Sequence, residues 1–292
     1  MLITSKMSDK NDSNLSWSWI ELCDDQGVFH VGGRVGAASG PRAFREVFSK
    51  FSGAESLKSK LSGRFTFDTP SANVRDNLQR AASVIENAQG LASHSVIVGG
   101  SHEHGYSQIL GLKKAFPNQT IGCINLDAHF DLRKPSPEIS SGSPYFLVIE
   151  ENLIRPENFI EFGIQPQCNS QSLFDYAKIK KIKTHAFEDL RLGRSDDAFR
   201  ADLHLLEQRC DVIAISLDLD CLAQAFAPAV SAPSAEGFSP SEIFEILKIA
   251  AKCEKVVSLG IFELNPIFDQ DQKTARLAAT AAFQFLSHAL AQ

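Results

Sequence analysis

From about residue 70 onward, apolar residues fall into two alternating patterns. Residues 73–89 carry Val74, Leu78, Ala81, Ala82, Ile85 and Ala88 at helical spacing, and Gly90 follows as a stop. Five short apolar runs predict strands: SVIVGG (95–100), IGCINLDAH (121–129), NFIEFGI (158–164), DVIAISLDLD (211–220) and VVSLGIFEL (256–264). Between them, 103–116, 170–180, 196–209, 240–252 and the Ala-rich 271–289 predict helices, and Ser239-Pro240 supplies one with a cap and a first-turn proline. Apolar strands alternating with helices predict a parallel sheet covered on both faces. The expected fold is α/β, a three-layer α/β/α sandwich around a central, mainly parallel sheet, which offers ligands the carboxyl ends of its strands. Segments 52–63 and 133–144, rich in Ser, Gly and Pro, read as surface loops. Residues 1–15 are polar and read as a flexible tail, with Met1 and Met7 both available as starts, and 16–292 reads as a single catalytic domain.

Four polar clusters stand where predicted strands end. Asp127-Ala128-His129-Phe130-Asp131 continues IGCIN, and strand alternation predicts that Asp127, His129 and Asp131 face one way. Asp218 and Asp220 share a face in the same manner after VIAIS. Carboxylates that close repel, and one takes up a proton unless a cation lies between them. Gly99-Gly100-Ser101-His102 follows SVIV, with paired glycines suited to a tight backbone approach to a ligand. Glu263 leaves VVSLGIF and could hold a cationic nitrogen group. Each cluster alone also fits an ordinary strand-to-loop exit with solvated acids or a structural histidine. Together they supply two histidines and four aspartates at one sheet edge, enough for two metal ions. Two ions ~3.5–4 Å apart can bridge one water and make it hydroxide near neutral pH.

Composition narrows the partners. Lys plus Arg is 29 against 35 for Asp plus Glu, a net charge of −6, and there is no basic run, so nucleic acid is not an expected partner. No apolar stretch approaches the ~18 residues of a membrane span, and the polar start lacks the apolar core of a signal peptide. A cytoplasmic location away from membrane is expected, with the six widely spaced cysteines reduced. GGRVGAASG (32–40), read as following a strand, does not fit G-x-G-x-x-G, so a dinucleotide loop is rejected in favour of a tight loop at the sheet edge.

GGSHEHG, DAHFD, SLDLD and ELNP, in this order across residues 99–266, resemble the ureohydrolase (arginase–agmatinase) family. The resemblance implies the arginase-like fold, two Mn²⁺ per subunit and a homo-oligomer, trimeric or hexameric. It implies His102, Asp127, Asp131 and Asp218 around one ion and Asp127, His129, Asp218 and Asp220 around the other. Several segments resemble the formimidoylglutamase branch: FHVGGRVGAASGPRAFRE, His102-Glu103, SGSPYF, GIQPQCNS and APAVSAP. The loop after DAHFD has no histidine, which arginases and agmatinases usually carry as a proton shuttle or substrate contact. His104, Ala223 and Ala229 depart from the family pattern, and His104 has no role assigned by it.

The implied reaction hydrolyses N-formimidoyl-L-glutamate, a small amidine, to L-glutamate and formamide, within histidine degradation. A metal-bridging hydroxide would attack the formimidoyl carbon. Asp131 would relay its proton, Glu263 would orient the amidine nitrogen, and Arg133, the arginine nearest the ligands in sequence, would meet a substrate carboxylate unless it is simply a solvated loop residue. The alternatives are agmatine or another guanidino acid as substrate, with urea released, or an inactive metal-binding regulator. A dinuclear phosphohydrolase lacks support, since there is no P-loop or basic phosphate cluster.

Overall fold

The computed structural model describes residues 15–191 and 193–291. The tail read at 1–15 lies outside the described residues except for Leu15. Eight strands form one sheet: β1 (Trp17–Leu22), β2 (Leu61–Phe67), β3 (His94–Gly99), β4 (Ile121–Leu126), β5 (Phe159–Ile164), β6 (Lys183–Ala186), β7 (Val212–Asp218) and β8 (Val256–Phe262). Their order is β2-β1-β3-β8-β7-β4-β5-β6, and every pairing is parallel. The five runs read as strands are β3, β4, β5, β7 and β8, all buried but for Val257. Edge strands β2 and β6 are largely open to solvent, so they lack the continuous apolar signature.

Alternation within the strands divides the core. Val96, Val98, Ile124, Leu126, Ile213 and Ile215 face helices Gly40–Phe48, Ser195–Arg209, Pro240–Ala251 and Lys273–Ala289. Cys123, Phe159, Val212 and Ala214 meet the opposite layer, with helices Val74–Gln89, His104–Ala115 and Pro144–Glu150. This is the expected three-layer sandwich. Local chemistry starts the helices: the Asn73 side chain accepts from Asp76 N–H, and Ser239 and Glu242 form a reciprocal capping box ahead of Pro240.

Two loop readings change. Segment 52–63 is not a plain loop, because it holds helix Glu55–Ser59 and the start of β2. The glycine-rich 32–40 segment follows helix Gln26–His30 rather than a strand, and Asn265 Nδ2 pins it by donating to the carbonyls of Arg34 (2.8 Å) and Val35 (3.1 Å). All six cysteines are free thiols, four of them buried. No described helix is long and apolar enough to cross a membrane.

The paired glycines at the end of β3 serve packing. A Cβ on Gly99 would lie 2.3 Å from the Phe262 ring, and one on Gly100 would lie 1.9 Å from the Asp24 carbonyl oxygen. Gly100 also carries the cross-links that aim the next residues: its N–H donates to Leu22 O and its carbonyl accepts from Glu263 N–H, both at 2.8 Å. Gly100→Ala must therefore push backbone apart. A loss of ~1–3 kcal/mol or more is expected in urea unfolding, and a change within ~0.5 kcal/mol would contradict this packing account.

Candidate metal centre

The four polar clusters leave β3, β8, β7 and β4, which are consecutive neighbours in the sheet. Residues 102, 127, 218 and 263 thus meet at one carboxyl edge. His102 Nδ1 lies 2.9 Å from Asp131 Oδ2 and 3.1 Å from both Asp127 Oδ2 and Asp218 Oδ2. No contact has hydrogen-bond geometry, so Nδ1 is a fully buried polar atom without a hydrogen-bond partner. Its other nitrogen, Nε2, meets Ser216 Oγ at 2.9 Å and Tyr145 OH at 3.4 Å. Against its burial, Tyr145, Asp127, Asp131 and Asp218 push His102 well above the usual imidazole range, so without an ion Nδ1 takes a proton that a cation among the three oxygens would replace. Adjacent donors on an octahedral ion with bonds of ~2.1 Å stand ~3 Å apart, which is the spacing seen.

A second group adjoins the first. His129 Nδ1 is 3.1 Å from Asp220 Oδ2 and 3.5 Å from Asp127 Oδ1. Asp127 therefore gives one oxygen to each group. Asp218 joins only the first. Its Oδ1 accepts from Asp220 N–H at 2.8 Å, capping the turn Leu219–Cys221, whereas the resemblance implied a second bridge.

Convergence comes from turns rather than from the pleat. β4 ends at Leu126, so DAHFD is loop. Asp127 Oδ1 accepts from His129 N–H at 2.7 Å, as Asp218 does from Asp220, and each turn brings residues i and i+2 together. Asp131 then takes φ 49° and Glu263 φ 70°, left-handed conformations that cost a non-glycine residue ~1–3 kcal/mol and mark sites held in place by their surroundings.

The electrostatics agree with a missing positive charge. Burial, then Asp220 and Asp127, push the Asp218 carboxyl well above the usual range. Burial raises Asp220 to about 6, against the pull of His129. Asp131 is raised by burial and Asp127, while Asp127 itself is held low by His102 and His129, which outweigh its burial. The donor set of two imidazoles and four carboxylates suits divalent ions that favour nitrogen and oxygen.

Glu263 Oε1 accepts from His102 N–H at 2.8 Å, and Oε2 is buried without a partner. Burial first, with Asp220 and Glu103 adding, raises this carboxyl to about 8. Arg133 is not among the clustered groups. It is half-buried, its side chain crosses Gly142, and it forms no ion pair among the described residues. His104 lies apart from both groups: Nε2 is 3.4 Å from Asp24 Oδ2, and Nδ1 meets Ser107 Oγ at 3.0 Å. Asp24 also accepts from Gln26 N–H and Asn77 Nδ2, while His104 Nε2 and Glu103 Oε2 are buried without a hydrogen-bond partner. A cavity of about 600 Å³ lined by Arg155, Lys181 and Arg209 opens at the amino ends of the strands, the end opposite these groups.

Sequence reading missed the residues that hold the donors: Ser216, Tyr145, Asn125 and Glu161. Asn125 Nδ2 donates to Asp127 Oδ2 (3.3 Å) and Glu161 Oε2 (3.0 Å) within the sheet. Their signal was available, since Asn125 and Glu161 each interrupt an otherwise apolar strand.

A sequence model of the arginase family matches residues 26–287. The chain belongs to the arginase family. Among curated members of known name, formimidoylglutamase of Staphylococcus aureus (strain Newman) is 33% identical over 264 residues, 90% of this chain and 83% of that protein. The arginase-family fold is seen in formimidoylglutamase from Bacillus subtilis subsp. subtilis str. 168, with a TM-score of 0.86 at 22% identity over 96% of this chain and 89% of that one. Trypanosoma cruzi formiminoglutamase with Mn²⁺ gives 0.85 at 22% identity over 98% and 97%.

If the four aspartates await a cation, removing one should relieve the metal-free protein. Metal-stripped Asp218→Asn is expected to be more stable than the natural chain by on the order of 1 kcal/mol. Saturating Mn²⁺ should then stabilise the natural chain by ~2–4 kcal/mol and the variant, still soluble and left with only the His129 group intact, by clearly less. Equal Mn²⁺ stabilisation of both, read by thermal melting, would contradict the assignment.

Proposed function

We propose that this chain is a dinuclear Mn²⁺ hydrolase that cleaves N-formimidoyl-L-glutamate to L-glutamate and formamide, an activity of histidine degradation. The observation that carries this reading is the complete donor set, His102, Asp127, His129, Asp131, Asp218 and Asp220, on a chain that aligns with formimidoylglutamase over 90% of its length. His102, Asp127, Asp131 and Asp218 would hold one ion and Asp127, His129 and Asp220 the other. Two bound divalent ions would supply Lewis acidity that brings the pKa of a shared water toward neutrality.

The protein groups do the rest. Asp131, raised by burial and close to His102 Nδ1, accepts the proton of the attacking water and delivers it to the departing glutamate nitrogen. Water oxygen joins the formimidoyl carbon and the bond from that carbon to the glutamate nitrogen breaks. Glu263 is anchored through Oε1 on His102 N–H, which leaves Oε2 to receive an amidine N–H and fix the carbon for attack. Arg133, without an ion pair among the described residues, offers its guanidinium to a substrate carboxylate beside the SGSPYF segment.

The test is turnover after Mn²⁺ loading, with formimidoylglutamate, agmatine, arginine and guanidinobutyrate in parallel. Formamide and glutamate from the first alone are expected. Urea from any of the others would overturn the substrate and keep the hydrolytic chemistry, while metal uptake without turnover would make the chain a binding protein.

A further inference from the structure

His129 is the weakest-held of the six donors by burial, with 16% of its side chain exposed and its main chain beyond the end of β4. Its backbone is nonetheless fixed from both sides by one residue. Asn169 Nδ2 donates to Ala128 O at 2.9 Å, and Asn169 Oδ1 accepts from Phe130 N–H at 3.0 Å. The two peptide groups that flank His129 are thus bonded to a single planar amide. Asn169 Nδ2 also donates to Gln165 O at 2.8 Å, and Gln165 N–H donates to Ala128 O at 3.0 Å, closing the loop onto the end of β5. Gln165 is anchored in turn through Nε2 on Glu236 O at 2.7 Å.

Only an amide of this length carries a donor and an acceptor in one fork. Aspartate keeps the acceptor and loses both donated bonds, and alanine loses everything. Asp127 Oδ1 engages His129 N–H, and among the described residues Asn169 is the one side chain bonded to Ala128 O and Phe130 N–H. His102, by contrast, is buried and oriented by Ser216 and Glu263 and owes nothing to Asn169.

We infer that Asn169 is the positioning residue of His129 and thereby sets the affinity of the His129–Asp220–Asp127 site far more than that of the His102 site. The inference rests on the dinuclear reading above. Partners that orient metal-bound histidines are generally worth 10–100-fold in affinity.

Calorimetric titration of the metal-stripped full chain with Mn²⁺ tests it. The natural chain should take up two ions. Asn169→Ala should keep the first with affinity unchanged within about twofold and bind the second ~10–100-fold more weakly. Asn169→Asp should fall between the two, and it carries the test if the alanine variant does not fold. A second ion bound as tightly as in the natural chain, or both ions weakened equally, would overturn the inference alone. Fewer than two ions in the natural chain would overturn the dinuclear reading and this inference with it.

Discussion

Mutual repulsion among buried carboxylates governs this structure. Asp127, Asp131 and Asp218 crowd their oxygens around the Nδ1 atom of His102, and Asp220 stands beside them, all in a place that water barely reaches. Water cannot screen such charges, and the protein offers only two imidazoles against them. In the chain alone, protons balance the cluster: His102 and His129 rise well above the usual imidazole range, and burial pushes Asp131, Asp218 and Asp220 up.

The sheet makes that crowding possible. Four strands far apart in sequence lie side by side in the order β3-β8-β7-β4, and each leads to polar residues at the same edge. Apolar packing on both faces fixes the strands, and close approaches at Gly99 and Gly100 fix how the chain leaves β3. Short turns at Asp127 and Asp218 then fold the donors inward. Precision passes from the core to the strand ends and from there to the oxygens. The left-handed backbone at Asp131 and Glu263 is tolerated because this framework leaves those residues no other course.

The central strands were legible because burial on both faces writes a continuous apolar run, as in VIAIS and SVIV. Helix Val74–Gln89 was legible for the complementary reason, a single buried stripe at helical spacing. Edge strands β2 and β6 escaped because solvent on their outer positions erases that signature, and β1 escaped because WSWIEL mixes bulky and polar residues. At the site, the order of GGSHEHG, DAHFD, SLDLD and ELNP named the groups that the fold gathers. Strand alternation gave the wrong reason for their convergence, since the turns lie beyond the strands. Nor could a linear reading see that Ser216 turns His102, that Asn169 brackets His129, or that Asp218 Oδ1 folds back on Asp220, because these depend on contacts across the sheet edge.

Asp127, with one oxygen in each donor group, would join two bound ions into a single centre. Electron paramagnetic resonance of the natural chain loaded with two equivalents of Mn²⁺ addresses that directly. Spin coupling between the ions, seen as a multiline spectrum distinct from that of isolated Mn²⁺, is the predicted result. Two uncoupled six-line signals, or one bound ion with the second free in solution, would contradict it.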